Sequence, residues 1–180
     1  MTTEATTLIG AVQMRALRAS DAGPLSAAYR QNRNYLAPWE PARTEEFFTP
    51  AGQHAVIESK LASQVAGQEV PWVLLAGSHI IGAITLTGIV RGPFLSANVG
   101  YWVDHEFTGR GIGSAAMGCV LAAAKDDLGL HRVQAATLKH NAASRKILGR
   151  AGFEEIGMAP AYLKIAGSWQ DHVLFQRILE

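Results

Sequence analysis

The segment Thr108 to Ser114, TGRGIGS, constrains this chain more than any other stretch, because it follows the alternating run Asn98 to Asp104 (NVGYWVD) and opens a helix-like pattern. Glycines at 109, 111 and 113 permit backbone conformations and close approaches that a Cβ would block, leaving successive N–H groups free to point at one ligand. The helix N-terminus that follows adds unpaired amides and the positive end of a dipole, which favour a phosphate or pyrophosphate. A strand, an anion-binding turn and a helix are therefore expected in that order.

Two phosphate-binding turns fit poorly. A nucleotide P-loop needs Lys-Ser or Lys-Thr after its last glycine, whereas Ser114 and Ala115 follow Gly113. A dinucleotide fingerprint would match Gly109 and Gly111 but finds Ser114 at its third glycine, and the next strand candidate, Val133 to Lys139, carries no acid for a ribose. The turn resembles instead the pyrophosphate loop of the GCN5-related N-acetyltransferases. Further along, HNAASRKILGRAGFEEIG (His140 to Gly157) is similar to the second cofactor segment of that superfamily. NRNYLAPWEP (Asn32 to Pro41), IVRGPF (Ile89 to Phe94) and YLKIAGSWQDHVLF (Tyr162 to Phe175) resemble its RimJ/RimL-like branch, acetyltransferases of ribosomal-protein N-termini. The matches run from about the first strand to the end of the chain.

The punctuation gives an alternating α/β order. Ala11 to Arg18 alternates as a strand, and Asp21 is placed as the cap of a helix through Asn32 with Leu25, Ala28 and Tyr29 on one face. Thr49 and Pro50 form an N-cap and first-turn pair for a helix to Ala66. Trp72 to Gly77, His79 to Val90 and Asn98 to Asp104 read as strands, the first two joined by a tight Gly77-Ser78 turn. After the glycines, Met117, Val120, Leu121, Ala124 and Leu128 lie on one helix face. Val133 to Leu138 is the next strand, Asn141 caps a helix through Arg150, and Gly152 takes the position after its C-cap. Tyr162 to Ile165 and His172 to Ile178 are the arms of a final hairpin.

The resemblance implies a single-domain α/β fold over residues 10–180, with residues 1–9 as a polar extension. Its sheet is mixed but mostly antiparallel, opens as a V between two parallel strands, and is flanked by about four helices. The implied cosubstrate is acetyl-CoA. Trp102 and Val103 would present a strand edge to the pantetheine arm, Arg110, Gly111, Ile112, Gly113 and Ser114 would hold the pyrophosphate, and Asn141 and Ser144 would contact the pantetheine. Many members carry Glu before the glycine loop and Tyr on the later helix; Asn98 and Leu148 stand there. Ser144 is the implied catalytic hydroxyl, acting on the thiol side. Trp39, Glu40, Tyr162 and Trp169, with Asp171 and His172 nearby, would wall the acceptor pocket, with Glu40 best placed for an ammonium group and Glu106 second.

The residues alone admit plainer readings. Asn141 is a good cap, and Ser144 can satisfy the same helix turn. Glu40 can be a solvated loop acid, and His172 a hydrogen-bonded strand residue. Cys119, the sole cysteine, lies mid-helix as a packed thiol and excludes an intramolecular disulfide. The histidines lack metal spacing, and no metal is expected. A formal net charge of +1 argues against a nucleic-acid surface. With 48% hydrophobic and 17% charged residues, one core is readily built. The start, MTTEATTLIG, lacks a signal-peptide pattern and no apolar run approaches a membrane span, so the cytoplasm is the expected compartment. The preferred function is direct acetyl transfer to a protein N-terminal α-amine. A small amine acceptor and a non-catalytic acetyl-CoA-binding module are the alternatives, and a homodimer is left open.

Overall fold

A computed structural model describes residues 5–180. Its strands are β1 (Thr6–Ile9), β2 (Val12–Ala16), β3 (Val70–Ala76), β4 (His79–Val90), β5 (Ser96–Val103), β6 (Arg132–Leu138), β7 (Glu154–Ile165) and β8 (Ser168–Ile178). They form one sheet in the order β1-β2-β3-β4-β5-β6-β8-β7. The helices are α1 (Ala22–Gln31), α2 (Arg33–Leu36), α3 (Pro50–Val65), α4 (Ile112–Asp126) and α5 (Ala142–Arg150).

All neighbouring strands are antiparallel except β5 and β6. That parallel pair is held only where Ser96 to Asn98 face Arg132 to Gln134. Beyond it β5 stays paired to β4 as far as Val103, and β6 stays paired to β8 as far as Leu138. The sheet therefore splits between two strands that are each secured on their outer side, which is the expected V.

Helices cover both faces, because apolar residues alternate along the strands. On one face α4 buries Ile112, Ala116, Met117, Val120 and Ala124 against Val99, Val133, Ala135, Val173 and Phe175. On the other, Leu25 and Ala28 of α1 and Ile57 of α3 pack with Val73, Leu75, Ile80 and Trp102. The helix count expected from sequence is close, the fifth being the single turn α2.

Three local expectations are corrected. Thr6–Ile9, assigned to a polar extension, pairs with β2 as a strand, since Gly10 at φ 57° makes the reversing turn; residues 1–4 of that extension lie outside the described residues. Asp21 makes no side-chain cap to α1. Its carboxylate instead accepts from both Arg15 terminal nitrogens at 2.8 and 2.7 Å and from the Arg18 N–H at 2.8 Å. Finally, β7 begins at Glu154, eight residues before the expected arm at Tyr162. Register shifts at Glu155/Gly157 and Ala159/Leu163 interrupt its pairing, so its side chains do not alternate in one phase and the pattern is hidden.

Candidate active site

The gap between β5 and β6 exposes backbone on one strand in a defined phase. The Leu95 carbonyl accepts from Arg132 on the β6 side at 3.1 Å, whereas the Asp104 N–H donates to Ile81 of the other neighbour, β4, at 2.7 Å. Peptide groups alternate in direction along a strand. Those of Tyr101 and Val103 therefore face the gap, and those of Gly100 and Trp102 face β4. Trp102, expected to offer a pantetheine edge, is turned the other way. Its indole is buried, donating to Tyr29 Oη at 3.1 Å.

At the mouth of the gap, Gly111 adopts φ 80° as the N-cap of α4. The first bond of the helix runs from Ala115 N–H to Gly111 carbonyl at 3.0 Å, so the amides of Ile112, Gly113 and Ser114 precede the ladder and have no helical acceptor. Gly113 packs closely on α5, where a Cβ would lie 2.9 Å from Ile147 Cδ1, the end of a side chain that can turn aside. Arg110 sits at the rim, bonded to the Glu106 carbonyl at 2.8 Å and over the Phe107 ring at 5.0 Å. Glu106, the second candidate acid, contributes its backbone here. Buried Asp104 organises the turn: it accepts from Asn32 Nδ2 at 2.7 Å and from the Glu106 N–H at 2.8 Å.

Asn141 caps α5, its Oδ1 accepting from the Ser144 N–H at 3.0 Å. That leaves its Nδ2 without a hydrogen bond among the described residues. Ser144 Oγ lies 2.8 Å from Tyr101 Oη, a contact across the gap that the sequence reading did not include. Burial pushes the Tyr101 phenol up to about 12, against the smaller opposing effect of its bond to Ser144. The phenol is thus a proton holder throughout the neutral range. The signal was present, since Tyr101 alternates with Val99 and Val103 on the α4 face; Leu148, at the usual Tyr position, is fully buried core.

A cavity of about 380 Å³ runs through the gap, lined by Tyr101, Thr137, Asn141 and Ser144 on one side and by Trp39, Glu40, Arg43 and His172 on the other. The Trp39 ring lies 5.3 Å from that of His140. The Glu40 carboxyl is raised above its usual value by burial, partly opposed by Arg43, whose Nε is 3.7 Å away. The loop holding both is tied to the last hairpin by Ala166 N–H donating to the Glu40 carbonyl at 2.9 Å.

Tyr162 and Trp169 do not line this cavity. Directly opposed residues share a sheet face, and Trp169 opposes Lys164, whereas Leu163, Ile165 and His172 supply the hairpin's lining. Trp169 is 65% exposed. Asp171 is held by Lys139 at 2.8 Å and by the Ala161 N–H at 3.0 Å, which fixes the bulge. Thr137, which sequence reasoning passed over, buries a hydroxyl with no partner among the described residues. Among the described residues no cluster of His, Cys, Asp or Glu could hold a metal, and no helix is long and apolar enough to cross a membrane.

Residues 12–154 match the family described as the acetyltransferase (GNAT) domain. The [Ribosomal protein uS5]-alanine N-acetyltransferase of Escherichia coli is 32% identical over 163 residues, covering 89% of this chain and 84% of the relative. The crystal structure of ribosomal-protein-S5-alanine acetyltransferase from Vibrio fischeri superposes with a TM-score of 0.93 at 32% identity, over 98% of this chain and 97% of that one. Mycobacterium smegmatis RimJ, solved in complex with CoA-disulfide, superposes with a TM-score of 0.90 at 29% identity, over 97% of this chain and 85% of that one.

Proposed function

Because the chain belongs to the GNAT acetyltransferase family, we propose that it transfers the acetyl group of acetyl-CoA directly to the N-terminal α-amine of a protein, ribosomal proteins being the acceptor class. One observation carries the reading: a single cavity crosses the sheet at the gap, with cofactor-type groups on one face and an acid-bearing loop on the other. Acetyl-CoA, when bound, supplies an activated acyl thioester.

The residues fit that cosubstrate. The Ile112, Gly113 and Ser114 amides, with Gly111 shaping the turn and Arg110 at its rim, hold the pyrophosphate. Tyr101 and Val103 offer backbone amides and carbonyls to the pantetheine, and Asn141 adds Nδ2 while its Oδ1 keeps the helix capped. Trp102 supports this edge from behind by filling the opposite core. Tyr101 is protonated, with its Oη 2.8 Å from Ser144 Oγ, where either oxygen can donate, and 3.3 Å from the Ser144 carbonyl; when the phenol donates to Oγ, the serine hydroxyl is directed towards the leaving sulfur. Ser144 is thereby the thiol-side catalytic donor.

On the acceptor side, ionised Glu40 receives the incoming ammonium group and Trp39 forms the wall beside it. An α-amine with a pKa near 7.7 to 8.0 is roughly 10% neutral at pH 7, whereas a lysine near 10.4 is neutral in well under about 0.1% of molecules. A site of modest basicity therefore selects N-termini. Release of CoA from acetyl-CoA is measured with peptides bearing free Ala, Ser or Met N-termini, beside N-blocked lysine peptides and small amines. Turnover confined to free N-termini supports the assignment; turnover on small amines alone, or tight acetyl-CoA binding without turnover on any amine, overturns it.

A further inference from the structure

His172 is nine-tenths buried or more, at 3% exposure, and its Nδ1 lies 2.9 Å from the Gln170 carbonyl. A carbonyl can only accept, so Nδ1 carries the proton and the neutral ring keeps its lone pair on Nε2. That nitrogen has no hydrogen bond among the described residues and is not one of the sealed orphan atoms; the residue lines the cavity.

Its place in the sheet assigns the side of the reaction. His172 opposes Leu138 of β6, and opposed residues share a face. Val133, Ala135, Val173 and Phe175, in the other phase, pack beneath α4. His172 and Leu138 accordingly face away from α4, towards the Trp39 and Glu40 loop. Tyr101 and Ser144 sit on the α4 and α5 face. One cavity thus has a hydroxyl pair at its thiol side and an imidazole at its amine side.

We propose that His172 is the catalytic base for the acceptor amine, a role resting on the acetyltransferase reading above. As the amine nitrogen attacks, the N–C bond forms and His172 Nε2 takes the proton that nitrogen must lose. The C–S bond breaks, and sulfur leaves with the electron pair beside the Ser144 hydroxyl and is protonated from solvent. The imidazolium returns its proton to solvent, so a free amine and an acetyl thioester give an amide and a free thiol. The charged groups sharing the cavity are Glu40, Arg43 and Lys60. Asp171 is adjacent but paired with Lys139, the Tyr162 ring lies 5.8 Å away, and the Tyr29 and Tyr101 phenols are kept protonated by burial.

The test compares wild-type protein with His172→Gln and His172→Ala on a free N-terminal peptide. Glutamine can still donate to the Gln170 carbonyl but offers no base. The expected result for His172→Gln is a kcat about 100-fold lower, with KM for acetyl-CoA and the thermal midpoint little changed. The wild-type pH–rate profile should show a limb that stays fixed when peptides of different amine pKa are exchanged. That limb should be absent from His172→Gln, and added imidazole should restore turnover to His172→Ala. Wild-type turnover matched by His172→Gln, or a loss confined to KM or to folding, overturns the base assignment alone. A wild-type protein silent on every amine overturns the acetyltransferase reading and this one with it.

Discussion

Glu40 shows most directly how one side chain trades stability for binding. Burial raises its carboxyl, with Arg43 only partly compensating, so the native state holds this proton more tightly than the unfolded chain does. Stability therefore falls as pH rises from the unfolded carboxylate value through the folded one. Glu40→Gln cannot ionise and escapes that loss: its thermal midpoint should match wild type in acid and exceed it at pH 7 to 8. The same change removes a charge-assisted contact to the ammonium group, which is worth about 1.5–3 kcal/mol, so peptide KM should rise roughly 10- to 100-fold. Steady-state kinetics beside a melting series across pH checks both halves. A buried network elsewhere gives a purely structural counterpart. Asn32 is fully buried and donates to Asp104 at 2.7 Å, so Asn32→Ala leaves a carboxylate underbonded and should cost about 2–3 kcal/mol in denaturant unfolding. The Asn32–Asp104 contact was not visible beforehand, since the two lie 72 residues apart and only the folded chain brings the end of α1 under the glycine turn.

Elements governed by local chemistry were legible, and those governed by distant pairing were not. Thr49 before Pro50 marked α3, and its hydroxyl does accept from the Gly52 N–H at 3.0 Å. Asn141 and Gly152 bracketed α5 equally well, with Phe153 N–H returning to the Leu148 carbonyl at 3.0 Å. In β7, by contrast, two interruptions of register conceal a strand that exists because β8 pairs with it. Tyr162 and Trp169, which the family resemblance had placed on the acceptor wall, lie outside the lining of the cavity. Within the glycine turn the glycines are not equivalent. Gly111 needs its φ of 80°, so alanine there is strained by roughly 1–2 kcal/mol and meets Ile9 Cδ1 at 3.2 Å. A Cβ at Gly113 meets only the end of the Ile147 side chain, which can rotate. Gly111→Ala should therefore lose more stability than Gly113→Ala, and should weaken CoA binding by distorting the pyrophosphate turn. Calorimetric titration with CoA beside thermal melts decides the order.

For the whole molecule, the split in the sheet is stable because each parted strand is fixed on its far side, β5 by β4 and β6 by β8. The family resemblance had implied a V, but the phase of its open edge depends on register, which neither the glycine motif nor the alternation of NVGYWVD contains. That phase makes amide exchange a test of the architecture. In the ligand-free protein the N–H groups of Gly100 and Trp102 lie against β4, whereas those of Tyr101 and Val103 open on the gap. The expected pattern is slow exchange at Gly100 and Trp102, with faster exchange at Tyr101 and Val103. Saturation with CoA should slow Tyr101 and Val103 selectively, because a pantetheine laid along β5 supplies the partners that β6 withholds. At about 100 times the dissociation constant the ligand should also add roughly 2.7 kcal/mol to stability by mass action. Residue-resolved exchange by NMR reads the alternation directly. Uniform protection along β5 before ligand is added would mean that the gap is closed in solution, and a gain at Trp102 rather than at its neighbours would mean that the register of β4 against β5 is shifted by one.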